Sequence, residues 1–315
     1  MTKLLKAISS FVLIAILSAC STTKKTATNA KLQGFKYNYC APGIPYLQNE
    51  IPWRDSVKID LSKTNISAHD QLLCQILGIG NAINELWILK QDRSQESISK
   101  QVMLRQKITS RLLLAQTQLQ AVAAELDCEG ERSDMAAAYL DGLNSKRNTK
   151  LTVGSVIIGA LTTVATAVIS KNSVQTAVGI GGGLLGAGLG ALTINPKGKQ
   201  LEFYHEHNLL STIWTEPKNN TDYPEFVWEM LHEKSFSNKG DITLSQSIKN
   251  RWLQFEFDGR IDQDQETLLF GKGGYYRSDD LHTRANMINQ LQSTIRSLNQ
   301  DLTSLIAFIA KMEQL

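Results

Sequence analysis

The sequence predicts a mainly α protein. Long helices pack as a bundle with a C-terminal heptad helix, a Gly-rich hydrophobic helical hairpin joins them, and β content is minor. Three observations predict this. Only 6 prolines and 7% aromatics occur in 315 residues, so long stretches run unbroken. Apolar residues recur at spacings of three and four in two separate regions. Between Lys150 and Lys197 the only charged residue is Lys171. The order along the chain is a leader at 1–19, a tether at 20–33, a turn-rich segment at 34–66 and a long helical region at 67–147. The hydrophobic hairpin follows at 150–195, and a mostly helical region closes the chain at 200–315.

The first element carries Lys3 and Lys6, then an apolar run at 11–16, then Leu17-Ser18-Ala19-Cys20. A charged start, a short apolar stretch and small residues before a cleavage point make a secretory signal. The apolar run is too short for a spanning helix of about 20 residues. With cysteine at the cleavage point, the segment resembles the lipobox of bacterial lipoproteins. That resemblance implies cleavage before Cys20, a diacylglycerol on its sulfur and an acylated amino group. The formal charge of +3 then loses two lysines and falls to about +1. A near-neutral chain lacks the broad basic field that nucleic acid binding needs.

Lipidation of Cys20 leaves Cys40, Cys74 and Cys128 in an oxidising compartment. One disulfide and one thiol is the simplest outcome, with three pairings open. No CxxC or Cys/His metal spacing is present.

Residues 20–33 have almost no apolar content and read as a flexible tether. Residues 34–66 hold Pro42, Pro45, Pro52 and several tyrosines, which suits turns and a short strand near 57–61. From Ser67, a plausible N-cap, Leu72, Leu73, Ile76, Ile79, Ile83, Leu86 and Trp87 take up helical spacing. Residues 90–97 lose the stripe, so the chain either turns there or continues as one exposed helix. A second stripe, Leu104, Ile108, Leu112, Ala115, Leu119, Val122 and Leu126, is expected to end at Gly130, a C-cap. If residues 90–97 turn, the two helices form a hairpin that brings residue 128 toward the Cys40 segment. That geometry favours Cys40–Cys128, with Cys74 a buried thiol.

Residues 151–170 are long and apolar enough to cross a bilayer. Residues 174–194 place Gly182, Gly186 and Gly190 at steps of four. Gly179 and Gly183 lie on the adjacent row with Ala187 and Ala191. Glycines there cost helix stability in water, about 1 kcal/mol each. They favour close helix approach in lipid. The region resembles the glycine zippers of bacterial envelope proteins, and the resemblance implies small-residue contacts between hairpins. The alternative is a hydrophobic hairpin buried inside a soluble bundle. A phosphate loop is disfavoured because no Gly-Lys-Ser/Thr follows. Two spans return both flanks to the periplasmic side, and those flanks carry Lys146, Arg147, Lys150, Lys197 and Lys199. An inner-membrane hairpin would run against the positive-inside tendency, which points to the outer membrane. Ser21 agrees, because lipoproteins of the enteric type retained in the inner membrane carry Asp at that position.

Beyond Pro196, residues 201–214, 224–233 and 243–249 read as short helices. Residues 252–257 read as a strand or a helix end, and 271–276 as a loop. After Ser278, the series Ile288, Leu291, Ile295, Leu298, Leu302, Leu305, Ile309 and Met312 alternates threes and fours, the pattern of a coiled coil. Its partner is either the earlier helices or a second copy.

Chemistry has few candidates. His205 and His207, with Glu202, would share a face only on a strand; on the expected helix they diverge by about 200°. His69, His232 and His282 stand alone in sequence, as surface residues. Asp258, Asp262, Asp264 and Glu266 lack the central glycine and final glutamate of a calcium loop. No GxSxG or HExxH occurs. The expectation is a non-enzymatic, lipid-anchored envelope protein without cofactor, metal or nucleic acid. It faces the periplasm from the outer membrane, with membrane lipid as a partner through acylated Cys20 and self-association through the hairpin or the last helix. Its expected role is structural or in assembly, docking or inserting the hairpin. The alternatives are an α-helical pore-forming protein, and a periplasmic binding protein or enzyme using residues 200–315.

Overall fold

The computed structural model describes residues 64–194, 198–220, 222–238 and 240–314, and before them 35, 37–43, 46, 60 and 61. Cys20, the tether and most of the 34–66 segment, with the strand expected near 57–61, lie outside the described residues.

Helix α1 (Ala68–Ile76) starts at Ser67, whose hydroxyl accepts the Asp70 amide at 3.0 Å. It stops at Gly78, which holds φ +64°, a conformation that favours glycine. The chain bends there by 115° into α2 (Gly80–Leu89). Residues 90–94 then turn. Asp92 accepts the Ser94 amide at 2.9 Å, Ser94 caps the next helix, and Gln101 Nε2 donates to Leu89 O at 2.8 Å. Of the two readings of residues 90–97, the turn is the one observed.

Helix α3 (Gln95–Val168) is 74 residues long, about 110 Å at 1.5 Å per residue. It does not end at Gly130 as expected. The glycine serves a helix crossing: a Cβ there would lie 3.0 Å from Asn289 Oδ1 and 3.4 Å from Ile288 Cγ2. Helix α9 (Ser278–Gln314) lies antiparallel on α3 along this contact. His282 meets Asp141, and Gln292 meets Asp127 further back along α3. All eight heptad residues of α9 are buried, so the partner of this helix is α3 of the same chain. The α3 stripe buries Ile108, Ala115, Leu119, Val122 and Leu126 fully, and Leu104 and Leu112 in part.

After α4 (Asn172–Ile194) comes β1 (Leu201–Tyr204), where a helix over 201–214 was expected. It pairs antiparallel with β2 (Gly273–Tyr276), expected as a loop, in the register Leu201↔Tyr276 and Tyr204↔Gly273. Gly273 makes the pairing possible: it holds φ +92°, and a Cβ would collide with the Phe203 carbonyl. Around the ribbon stand α5 (Leu209–Thr215), α6 (Glu225–His232), α7 (Leu244–Phe255) and α8 (Gln263–Phe270). Helix α7 opens on a capping box of Thr243 and Gln246, and residues 252–255 are its end rather than a strand. Trp252, Phe226, Tyr223 and Phe203 fill this part of the core, and Trp214 stacks on Phe270 at 4.5 Å.

Candidate membrane-inserting hairpin

The last third of α3 and all of α4 form an antiparallel pair that leaves the body. Its base is tied where Asn144 Oδ1 accepts the Lys199 amide at 3.0 Å. Among the described residues, none between Leu143 and Leu201 belongs to the core. From Asn144 to Val168, α3 rises about 36 Å, and α4 is about 35 Å long. A bilayer's hydrocarbon core is about 30 Å thick. Both helices are long and apolar enough to cross a membrane, and within the spanning stretches no residue is buried by the protein. Val156, Val164, Val168, Ile180, Leu184 and Leu185 are all exposed, Val168 to 75% and Leu184 to 69%. Helices α1 and α2, taken as one bent span, meet the same criterion. They differ in that Leu73, Ile76, Leu77, Ile79 and Ile83 are fully buried in the core.

Several polar side chains of the hairpin pair with its own backbone. The hydroxyls of Thr162, Thr163 and Thr176 donate to carbonyls four residues back, and those of Ser155 and Thr166 to carbonyls three back. At the tip, Gln175 Nε2 donates to Thr166 O at 2.8 Å. Internal pairing of this kind is what a segment in hydrocarbon requires.

The seam between the helices is built of small residues. A side chain at Gly182 would collide with Thr162; a Cβ at Gly179 would lie 3.6 Å from Thr166 Cγ2, and one at Gly186 3.9 Å from Ser155 O. Across the seam, Leu189 reaches to 3.7 Å of where a Gly154 Cβ would be. The seam therefore follows Gly179, Gly182, Gly186 and Leu189, steps of three and four, and not the step-of-four row through Gly190. An antiparallel pair at a shallow crossing angle keeps in register every seven residues, whereas a step-of-four row drifts off the face. A Cβ at Gly183 or Gly190 would meet no atom of the facing helix within 4 Å.

The other candidates resolve into structural ties. Cys40 and Cys128 form a disulfide with Cα atoms 5.5 Å apart, and Cys74 is a buried thiol. The two neighbouring histidines do not converge. His205 is buried after β1, its Nε2 2.8 Å from the Tyr276 hydroxyl, which donates onward to Leu268 O. Burial and the Arg284 and Arg132 charges pull its pKa down to about 2, so the ring is neutral. His207 lies between Asp222 and Glu125, and hydrogen bonds to those two carboxylates push it up to about 10. Glu202 instead accepts from the Tyr275 hydroxyl at 2.8 Å. His282 is exposed, as expected, and His69 half-buried; both also tie helices together, to Asp141 at 2.9 Å and Asp301 at 3.1 Å. Asp262 caps α8 through the Gln265 amide at 2.8 Å, and Glu266 accepts from Trp214 Nε1. No group of three or more metal-ligating side chains exists among the described residues.

One buried cluster escaped the sequence reading. Glu129 sits between Arg132 at 3.0 Å and Arg284 at 3.6 Å. Arg132 also donates to Tyr204 O and Phe35 O and lies 3.9 Å over the Phe203 ring. The nearby Tyr46 hydroxyl donates to Glu125 at 2.7 Å. The cavity lined by Glu125, Glu129, His207 and Arg284 has room for about one water molecule. The cluster holds α3, α9, β1 and the Cys40 segment together. Comparison with protein-family models, curated proteins and solved structures finds no match to this chain.

Proposed function

We propose that this is a lipid-anchored protein of the bacterial cell envelope, held by acylated Cys20 on the periplasmic face of the outer membrane. Its role is structural or in assembly, and it inserts the α3–α4 hairpin into the membrane. The observation that carries this reading is the pair of membrane-length helices whose apolar faces no part of the body covers. Fully burying a large apolar side chain gains about 1.5–3 kcal/mol, and the hairpin leaves many such side chains exposed. Exposed apolar surface on this scale marks a membrane or partner site.

Isolated envelopes treated with a carbene reagent dissolved in the lipid phase test the reading. Peptides from residues 151–194 are expected to carry the label, with Val164 and Leu184 among the modified positions. Label confined to the acylated N-terminus overturns insertion. Release of trapped dye from vesicles by the purified protein would move the role from assembly to pore formation.

A further inference from the structure

The charge pattern along α3 changes abruptly at the base of the hairpin. Between Asp141 and Glu202 the sequence contains no acidic residue at all. Acids on the body side are engaged: Asp141 accepts from His282, Glu202 from Tyr275, and Asp280 from the Arg277 amide. Asp279 is exposed at the start of α9, on the Asp141 side of the base. Beyond that level come only cations. Lys146 and Lys150 are exposed one helical turn apart, with half-buried Arg147 between them, and exposed Lys199 lies beside Asn144. No ion pair engages Lys146, Lys150 or Lys199 among the described residues. From Asn144 to Lys150 is about 9 Å along the axis, so these charges lie at one level, immediately below the apolar stretch.

We propose that Lys146, Lys150 and Lys199 form a collar that binds the anionic phospholipid headgroups of the leaflet the hairpin enters. The proposal rests on the insertion reading above and adds the chemistry of the surface.

Chain reach fixes which leaflet this is. The disulfide holds Cys40 at Cys128, and the chain before it runs toward the hairpin, where Phe35 packs on Tyr139 at 6.1 Å. The 15 residues from Phe35 back to Cys20 span at most about 50 Å. The collar is about 8–17 Å from Tyr139 along α3, whereas the Gln95 end is about 66 Å away. The acyl anchor therefore reaches the collar end of the rod and not its far end. Anchor and hairpin enter one leaflet, and the collar lies at its headgroups. A juxtamembrane cation near an anionic surface contributes about 1 kcal/mol, about fivefold in partitioning.

The acylated full-length protein carrying Leu184→Cys, reconstituted into vesicles, tests the collar with a membrane-impermeant maleimide. In vesicles of phosphatidylcholine with phosphatidylglycerol, the ratio of protected to labelled thiol at this position is expected to exceed that in pure phosphatidylcholine by about tenfold or more. Lys146→Gln, Lys150→Gln and Lys199→Gln together should remove the difference, and the corresponding arginine substitutions should preserve it. Equal protection in both vesicles, unchanged by the glutamines, overturns the collar and leaves insertion standing. Protection in neither overturns insertion itself and the collar with it.

Discussion

Single residues set the pH behaviour of the body through His207. Its ring lies between Asp222 and Glu125, and their hydrogen bonds raise its pKa from 6.5 to about 10. The folded state thus holds a proton that the unfolded chain releases above about pH 6.5. The stabilisation is fully present below that value and is lost as pH rises through about 10. His207→Gln should cost about 1.5–3 kcal/mol near pH 6, the scale of a charge-assisted hydrogen bond. The gap between wild type and variant should close as pH approaches 10. Urea unfolding of both proteins across this range checks it, and a gap that widens with pH refutes the assignment. His205 works in the opposite sense. Its pKa is pulled down to about 2, so below about pH 6.5 the unfolded chain takes up a proton that the buried ring beside Arg284 and Arg132 does not accept, and stability falls as pH falls there.

At the scale of elements, the hairpin seam makes a sharp distinction between neighbouring glycines. Gly182 faces Thr162 with no room for a Cβ, while Gly183 has no facing atom within 4 Å of that position. Gly182→Leu should force α3 and α4 apart, whereas Gly183→Leu should leave their spacing unchanged. Spin labels at Val156 and Leu185, both exposed, would report a longer and broader distance distribution in the first variant only. Periodicity in the sequence showed that both helices exist; it did not show which row of small residues faces inward, because that depends on the crossing angle. Gly130 carries the same lesson. Its type fits a helix C-cap and a helix crossing equally well, and only the position of Asn289 on α9 decides between them. The heptad of α9 was legible because eight apolar residues repeat without interruption. Its continuation through Arg284, opposite Glu129 on α3, was hidden because a charged residue occupies the core position. The short ribbon was missed for a related reason. Its pairing is non-local, and Gly273 lies at a left-handed φ that loop-like composition conceals.

For the whole molecule, the body and the hairpin join at the base of the hairpin. Among the described residues, the hydrophobic core draws on residues from Phe35 to Leu143 and resumes at Leu201, and no hairpin side chain enters it. The chain leaves and returns at adjacent points, since Asn144 and Lys199 are hydrogen-bonded at 3.0 Å. The body is also closed covalently, with Cys40 and Cys128 joined across 88 residues that exclude the hairpin. Crosslinking a loop of this length stabilises a fold by roughly 4–5 kcal/mol in chain-entropy terms. Replacing residues 148–197 by a short Gly/Ser linker should therefore leave the unfolding free energy of the body within about 0.5 kcal/mol of the parent, the range of surface changes. The Cys40–Cys128 bond should remain formed. Denaturant unfolding and a thiol count of the excised protein measure both. A large loss of stability would mean that the hairpin belongs to the fold. A stable body would mean that residues 151–194 contribute nothing to folding, and that their apolar surface serves a membrane or a partner instead.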